Sequence, residues 1–130
     1  MIIRKSNRSL PIVTQSQVMA ELFPNFSTVA RSRHFIIWEG RLAPNLEMDE
    51  HLIRIEYDLG NHPKVFVPTW NKKCKHKFKD GSLCLYFKNR KNWIPMQLIA
   101  QTIVPWTSQW LLFNEFYNIT GHFAALEVNH

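Results

Sequence analysis

The chain has 130 residues, seventeen of them aromatic, with 45% hydrophobic and 20% charged residues and a formal net charge of +6. This composition excludes a disordered chain and a coiled coil, and the length suffices to bury one core. The two cysteines, Cys74 and Cys84, are too few for a disulfide framework or a four-cysteine zinc site. We therefore expect a single domain over residues 1–130 that needs no cofactor and no metal.

The first part of the chain indicates the cellular location of the protein and predicts its first helix. No apolar run approaches the length of a membrane span, and residues 1–9 lack the apolar core of a signal peptide. We therefore expect a cytoplasmic protein with no membrane partner. Thr14 and Gln17 have the spacing of a capping box in front of an apolar stretch, which predicts a helix over 14–23 that Pro24 ends.

Three strands are predicted after this helix. Residues 34–42 are rich in β-forming residues, and residues 52–59 alternate between apolar and polar side chains. A turn signal at 60–63 precedes a short third strand at 64–67. Connections this short favour an antiparallel meander.

The last third of the chain predicts a long irregular segment and then helices. Residues 68–92 are polar and basic. A helix is predicted over 96–104, where Pro105 ends or kinks it, and a second helical pattern of apolar residues runs over 106–117 before Gly121.

The order of these elements indicates an α+β fold, in which one antiparallel sheet carries helices on its faces. We expect the sheet to pack against the helix that follows Pro95. The expected contacts join two sets of apolar residues, namely Ile53, Ile55, Val65 and Phe66 of the strands and Leu98, Ile99 and Ile103 of the helix.

The positive charge is concentrated in one window. Residues 72–91 hold eight of the sixteen Lys and Arg residues and a single acid, Asp80. Such a window is a solvated loop, a surface for an acidic protein partner, or a nucleic-acid surface. Lysines close to a thiol would also lower its pKa. The nucleic-acid alternative would use the aromatic residues in or beside the window, which are Trp70, Phe78, Tyr86 and Trp93.

Cys84 is the candidate nucleophile. It follows the turn dipeptide Asp80-Gly81, so the chain should reverse just before it. In basic surroundings it would be a partly exposed thiolate, whereas the alternative is a buried cysteine in a short apolar strand. His76 lies eight residues earlier and would be a base, a hydrogen-bond donor or an idle surface residue. A zinc site could be assembled only from poorly spaced ligands, namely Cys74, His76, Cys84 and His122.

The order of segments resembles the ubiquitin-conjugating enzymes over roughly residues 10–121. The resemblance rests on a helix, a meander with Pro63 before its last strand, the Gly-x-x-Cys-Leu motif at 81–85, and a tryptophan and proline at 93–95. The segment 76–86 resembles more closely the bacterial conjugating domains of CBASS antiphage operons. A further likeness to that branch lies in Trp106 to Leu112 and in Thr120 to His122. The short chain is similar to the stand-alone form.

The resemblance implies a ubiquitin-conjugating-enzyme-like α+β fold, with an N-terminal helix, a meander of three to four strands, an active-site loop and C-terminal helices. It implies that Cys84 is the catalytic cysteine and that His76 assists it. The His-Pro-Asn motif of the eukaryotic enzymes is absent, so no asparagine role follows from the resemblance. An inactive binding module with the same fold is the alternative function.

The implied partners are a cGAS-like nucleotidyltransferase, whose C-terminal tail would form the thioester, and an amine-bearing acceptor protein, with no nucleic acid. We expect five residues to contact the partner, namely Lys75, Lys77, Lys79, Gly81 and Trp93. Leu83, Leu85 and Tyr86 should anchor the cysteine strand against the helix at 96–104. Cys74 should be incidental and should not bond to Cys84.

Overall fold

A computed structural model describes residues 8–85 and 93–122. Its helices are α1 (Ile12–Leu22), a short 3-10 helix (Ile99–Gln101) and α2 (Ile103–Thr120). Its strands are β1 (Ser27–Arg31), β2 (Phe35–Leu42), β3 (His51–Asp58) and β4 (Lys64–Phe66). The architecture is the expected α+β arrangement, consistent with a conjugating-enzyme-like fold. Neither α1 nor α2 combines the length and the apolar character that crossing a bilayer requires.

Helix α1 begins two residues before the expected position. The Pro11 carbonyl accepts the N–H groups of Thr14 and Gln15, so the first turn forms ahead of the presumed cap. Thr14 lies inside the helix, and the predicted capping box is therefore wrong. The predicted end is close to the observed one, because the Phe23 N–H still bonds to the Met19 carbonyl and Pro24 follows.

The sheet is an antiparallel meander in the order β1-β2-β3-β4. The three predicted strands correspond to β2, β3 and β4, whereas no pattern in the sequence pointed to β1. Strand β1 is an edge strand whose side chains are mostly exposed, so it lacks the apolar alternation that marks the others. The buried face of the sheet is lined by six apolar residues: Ile36, Trp38, Ile53, Ile55, Tyr57 and Val65.

The predicted packing of the sheet on the C-terminal segment is correct for most of its residues. Ile53, Ile55 and Val65 share one buried cluster with Ile99 and Ile103. Phe66 and Leu98 are the exceptions, since neither belongs to this cluster. Phe66 pairs with Arg54, one position along from the buried Ile55–Val65 pair, and successive side chains of a strand point to opposite faces.

The predicted helix over 96–104 is wrong, and so is the predicted break at Pro105. The chain forms only the short 3-10 helix before α2 begins at Ile103. Pro105 then lies in the first turn of α2, where the backbone N–H groups have no partner within the helix, so a proline loses nothing there. Gly121 ends α2 as expected, with a φ of 77° and its N–H bonded to the Tyr117 carbonyl at 2.8 Å.

Candidate active site

Residues 76–84 form an irregular hairpin that places His76 directly opposite Cys84. Lys77 and Leu83 form an antiparallel bridge, and the Cys84 N–H donates to the His76 carbonyl at 2.8 Å. Sequence spacing made His76 a candidate partner of Cys84, and the backbone pairing brings the two together. The imidazole is half-buried, with its Nε2 atom shielded from solvent.

The tip of this hairpin is the predicted Asp-Gly turn. The Gly81 N–H donates to the Phe78 carbonyl at 3.0 Å, and Gly81 has a φ of 91°, a conformation that glycine adopts without steric cost. The Asp80 carboxylate accepts the hydroxyl and the N–H of Ser82 and pairs with Lys64 at 3.2 Å. These bonds, those from Ser82 first, lower the pKa of Asp80 to about 2. Asp80 is therefore ionised at neutral pH, and its bonds to Ser82 and Lys64 hold the turn.

Cys84 is buried, contrary to the expectation of a partly exposed thiolate. Only 2% of it is exposed, and burial raises the pKa of its thiol. The reason is the apolar run around it. Leu83 and Leu85 both belong to the core cluster, and the Leu83 N–H bonds to the Val65 carbonyl at 2.8 Å beside β4. The expected anchoring of this strand is therefore present for the two leucines, although the helix at 96–104 is not. Tyr86 lies outside the described residues.

The basic window divides into lysines that contact α2 and lysines that face solvent. The Lys72 ammonium pairs with Glu115 at 2.7 Å, and the Lys75 ammonium lies 5.4 Å from the centre of the Tyr117 ring. Within the described part of the window, Lys73, Lys77 and Lys79 are exposed, and Lys72 is also exposed despite its ion pair. The remaining basic residues of the window lie outside the described residues: Lys88, Arg90 and Lys91. The expected lowering of the thiol pKa by this window is wrong, because burial dominates.

Helix α2 holds the segment before the hairpin through side chains that sequence reasoning did not select. Trp110 donates its Nε1–H to the His76 carbonyl at 3.0 Å. Asn114 accepts the Lys75 N–H at 2.6 Å, and Asn118 donates to the Lys73 carbonyl at 2.5 Å. The spacing of four residues places these three side chains on one face of α2. The two asparagines, four residues apart and one turn beyond Trp110, were the signal that would have identified them.

Trp93 is a core residue, which argues against its expected role as a partner contact. It is only 5% exposed, its Nε1–H donates to the Thr102 hydroxyl at 3.0 Å, and its ring packs edge-on against Tyr57. Trp70 is half-buried between the rings of His51 and Trp110. Phe78, another aromatic residue of the nucleic-acid alternative, is 47% exposed, and Tyr86 lies outside the described residues.

The two cysteines are free thiols. Cys74 is half-buried and packs against the core cluster. Within residues 8–85 and 93–122, no three His, Cys, Asp or Glu side chains lie together in a way that would hold a metal ion. The poorly spaced zinc site considered from the sequence therefore has no support among these residues.

The burial of Cys84 predicts how its labelling depends on pH. A raised pKa leaves less thiolate at a given pH, so alkylation of a Cys74→Ser protein by iodoacetamide should reach half its maximal rate at a higher pH than alkylation of the urea-denatured chain. Rates measured from pH 6 to 11 by mass spectrometry give both midpoints. A folded midpoint below the denatured one would contradict the direction of the shift.

The chain was compared with known protein families and with curated proteins. The family model described as Type II CBASS E2 protein matches residues 15–130, which include the sheet, the hairpin and α2. No curated protein matches the chain. The matched region covers nearly the whole sequence and contains both Cys84 and His76. The chain therefore belongs to the type II CBASS E2 family, and its role lies in CBASS defence.

Proposed function

We propose that the chain is a single-domain, cytoplasmic acyl transferase that uses Cys84 to process or conjugate the C-terminus of a cGAS-like nucleotidyltransferase. The Cys84 thiolate attacks the carbonyl carbon of the tail, which arrives as an activated acyl group, either a thioester or an acyl adenylate. The attack forms a thioester on Cys84 and releases a thiol or AMP. An amine of an acceptor protein then attacks this thioester, which forms an amide and returns the proton and the free thiol to Cys84.

The pairing of Cys84 with His76 is the observation that carries the proposal. A hydrogen bond from the Cys84 N–H to the His76 carbonyl fixes the two residues opposite one another at 2.8 Å between N and O. An imidazole carried by the residue opposite a cysteine is suited to proton transfer, and a ring N–H is suited to stabilisation of the oxyanion that forms on the attacked carbonyl. The family to which the chain belongs supports conjugation chemistry.

The hairpin tip and its lysines are suited to receive the tail. Gly81 has no side chain, and apart from its chain neighbours no heavy atom of the described residues lies within 4 Å of the position that a Cβ would take there, so a peptide backbone has room to approach. Lys77 and Lys79 are exposed next to the tip and would attract an acidic segment. We propose these three residues, together with Lys75 at the base of the hairpin, as partner contacts.

The test uses the purified protein and two activated acyl donors, a glycine-terminated peptide thioester and a nucleotidyltransferase prepared with a C-terminal thioester. Transfer to Cys84 should give a mass increase equal to the acyl group, which tryptic mapping should locate on Cys84 and which a thiol reductant should remove. If neither donor yields a reductant-sensitive species on Cys84, the transferase proposal is wrong.

One observation favours the second candidate function, an inactive module that binds and regulates the same partner. The Cys84 thiol is covered and its pKa is raised, which opposes attack in the free protein. The two functions differ in what the partner does. For a transferase, binding of the tail must uncover the thiol, so the nucleotidyltransferase should accelerate alkylation of Cys84. For a module, the partner should bind and leave the alkylation rate unchanged.

The exposed lysines predict a salt-dependent association. Changing Lys77 and Lys79 to glutamine should weaken binding of the nucleotidyltransferase several-fold at low salt, and the difference should shrink as salt rises, since exposed charges are screened. Titration calorimetry at about 50 and 500 mM salt measures the effect. Arg33→Gln with Arg41→Gln is the matched control, because it removes the same charge from exposed positions outside the hairpin. An equal loss in both double variants would exclude a specific lysine surface.

A further inference from the structure

Asn114 is a buried polar side chain of α2. It is entirely buried, although an amide that leaves water needs partners for its donors and its acceptor. Its Oδ1 accepts the Lys75 N–H at 2.6 Å, and its Nδ2 donates to the Trp110 carbonyl at 3.1 Å and to the Lys75 carbonyl at 3.4 Å. The side chain thus holds both backbone polar groups of Lys75.

Asn118, one helical turn further along α2, adds hydrogen bonds to the same segment. Its Nδ2 donates to the Lys73 carbonyl at 2.5 Å and to the Asn114 carbonyl at 2.8 Å. The two side chains, which we call the asparagine pair (Asn114 and Asn118), therefore bind alternate residues of the segment that leads into the hairpin. Because α2 packs in the core, the pair connects this segment to a rigid element.

The next residue of the segment adopts a backbone conformation that needs such support. His76 has a φ of 64°, which lies in the left-handed region and is uncommon for residues other than glycine. Its carbonyl accepts both the Trp110 Nε1–H at 3.0 Å and the Cys84 N–H at 2.8 Å. Any displacement of Lys75 would therefore move the His76 carbonyl, to which the Cys84 N–H is hydrogen-bonded.

We propose that the asparagine pair positions His76 and Cys84 for acyl transfer, an assignment that rests on the proposed function. Helix α2 sets the position of Lys75, Lys75 sets the conformation of His76, and the His76 carbonyl sets the position of Cys84. The pair touches neither the acyl group nor the thiol, and its members are positioning residues. A buried amide that served stability alone would not need to be linked to the nucleophile through a continuous series of hydrogen-bonded residues.

The experiment measures transfer from the glycine-terminated peptide thioester through Cys84 to hydroxylamine. Asn114→Ala should lower kcat about 10-fold and Asn118→Ala about 3-fold, with KM nearly unchanged, because the thiol is misplaced while the tail contacts remain. Asn114→Asp should recover part of the loss, since one of its oxygens can still accept the Lys75 N–H. The His76 ring signals in NMR spectra should shift in both alanine variants.

Thr107→Val is the matched control. The Thr107 side chain is equally buried on α2, and its hydroxyl bonds to the Ile103 carbonyl inside the helix rather than to the hairpin segment. It should lower the melting temperature while kcat and the His76 signals stay at the wild-type values. If Asn114→Ala does not fold, Asn118→Ala decides the matter, because Asn118 is exposed.

The outcomes separate the two proposals. If the wild-type protein shows no Cys84-dependent transfer, the proposed function is wrong, and the assignment of the pair falls with it. If the wild-type protein transfers normally and Asn118→Ala, with any folded Asn114 variant, keeps the wild-type kcat, only the assignment of the pair is wrong. The same holds if Thr107→Val lowers kcat as much as the asparagine variants.

Discussion

Replacement of Cys84 by serine is expected to abolish every reductant-sensitive adduct between this protein and an acyl donor. The serine side chain is close in size to that of cysteine but more polar, so the buried position should accept it with a modest loss of melting temperature. Its hydroxyl ionises far less readily than a thiol and is a much weaker nucleophile at neutral pH. The rate of acyl transfer should therefore fall by at least about 10³-fold, and any product that forms should be an ester that resists reductant.

The matched control is Cys74→Ser, which removes the other free thiol of the chain. Cys74 is half-buried at the base of the hairpin segment, so we expect near wild-type rates and the same adduct. Mass spectrometry with and without reductant compares the three proteins. Full antiphage protection by Cys84→Ser, together with unchanged binding of the nucleotidyltransferase, would favour the regulatory module over the transferase.

Replacement of His76 by alanine is expected to slow acyl transfer by about 10²-fold if the imidazole transfers a proton or donates to the oxyanion. Alanine also strains the backbone, because His76 has a φ of 64°. Two further variants separate these causes. Glycine accepts this conformation freely, and asparagine tolerates it better than most residues, yet neither carries an imidazole.

The pattern across the three His76 variants identifies the role of the ring. If the imidazole takes part in the chemistry, alanine, glycine and asparagine should all be slow, and the pH dependence of kcat should lose one ionisation. If His76 serves only its backbone geometry, glycine and asparagine should keep wild-type rates while alanine loses stability and rate together. Single-turnover transfer from the peptide thioester, with melting temperatures measured alongside, distinguishes the two results.

The sequence by itself determined the elements that short-range patterns encode. Alternation over 52–59 predicted β3, the Asp80-Gly81 dipeptide predicted the reversal before Cys84, and Gly121 predicted the end of α2. Each of these signals lies within a few neighbouring residues, because the period of a strand or the φ of a turn is a local property. The α+β class and the family resemblance followed from the order of these elements.

The tertiary structure alone decided the environment of the candidate site. Cys84 stands in a basic window, so a partly exposed thiolate and a buried cysteine were both open from the sequence, and in the structure the core covers it and raises its pKa. Asn114 reaches Lys75 across 39 residues of sequence, and Trp93 is drawn into the core by contacts with Tyr57 and Thr102. Burial, pKa and long-range hydrogen bonds depend on which segments contact each other in the folded chain, and the periodicity of one segment does not show which other segments it contacts.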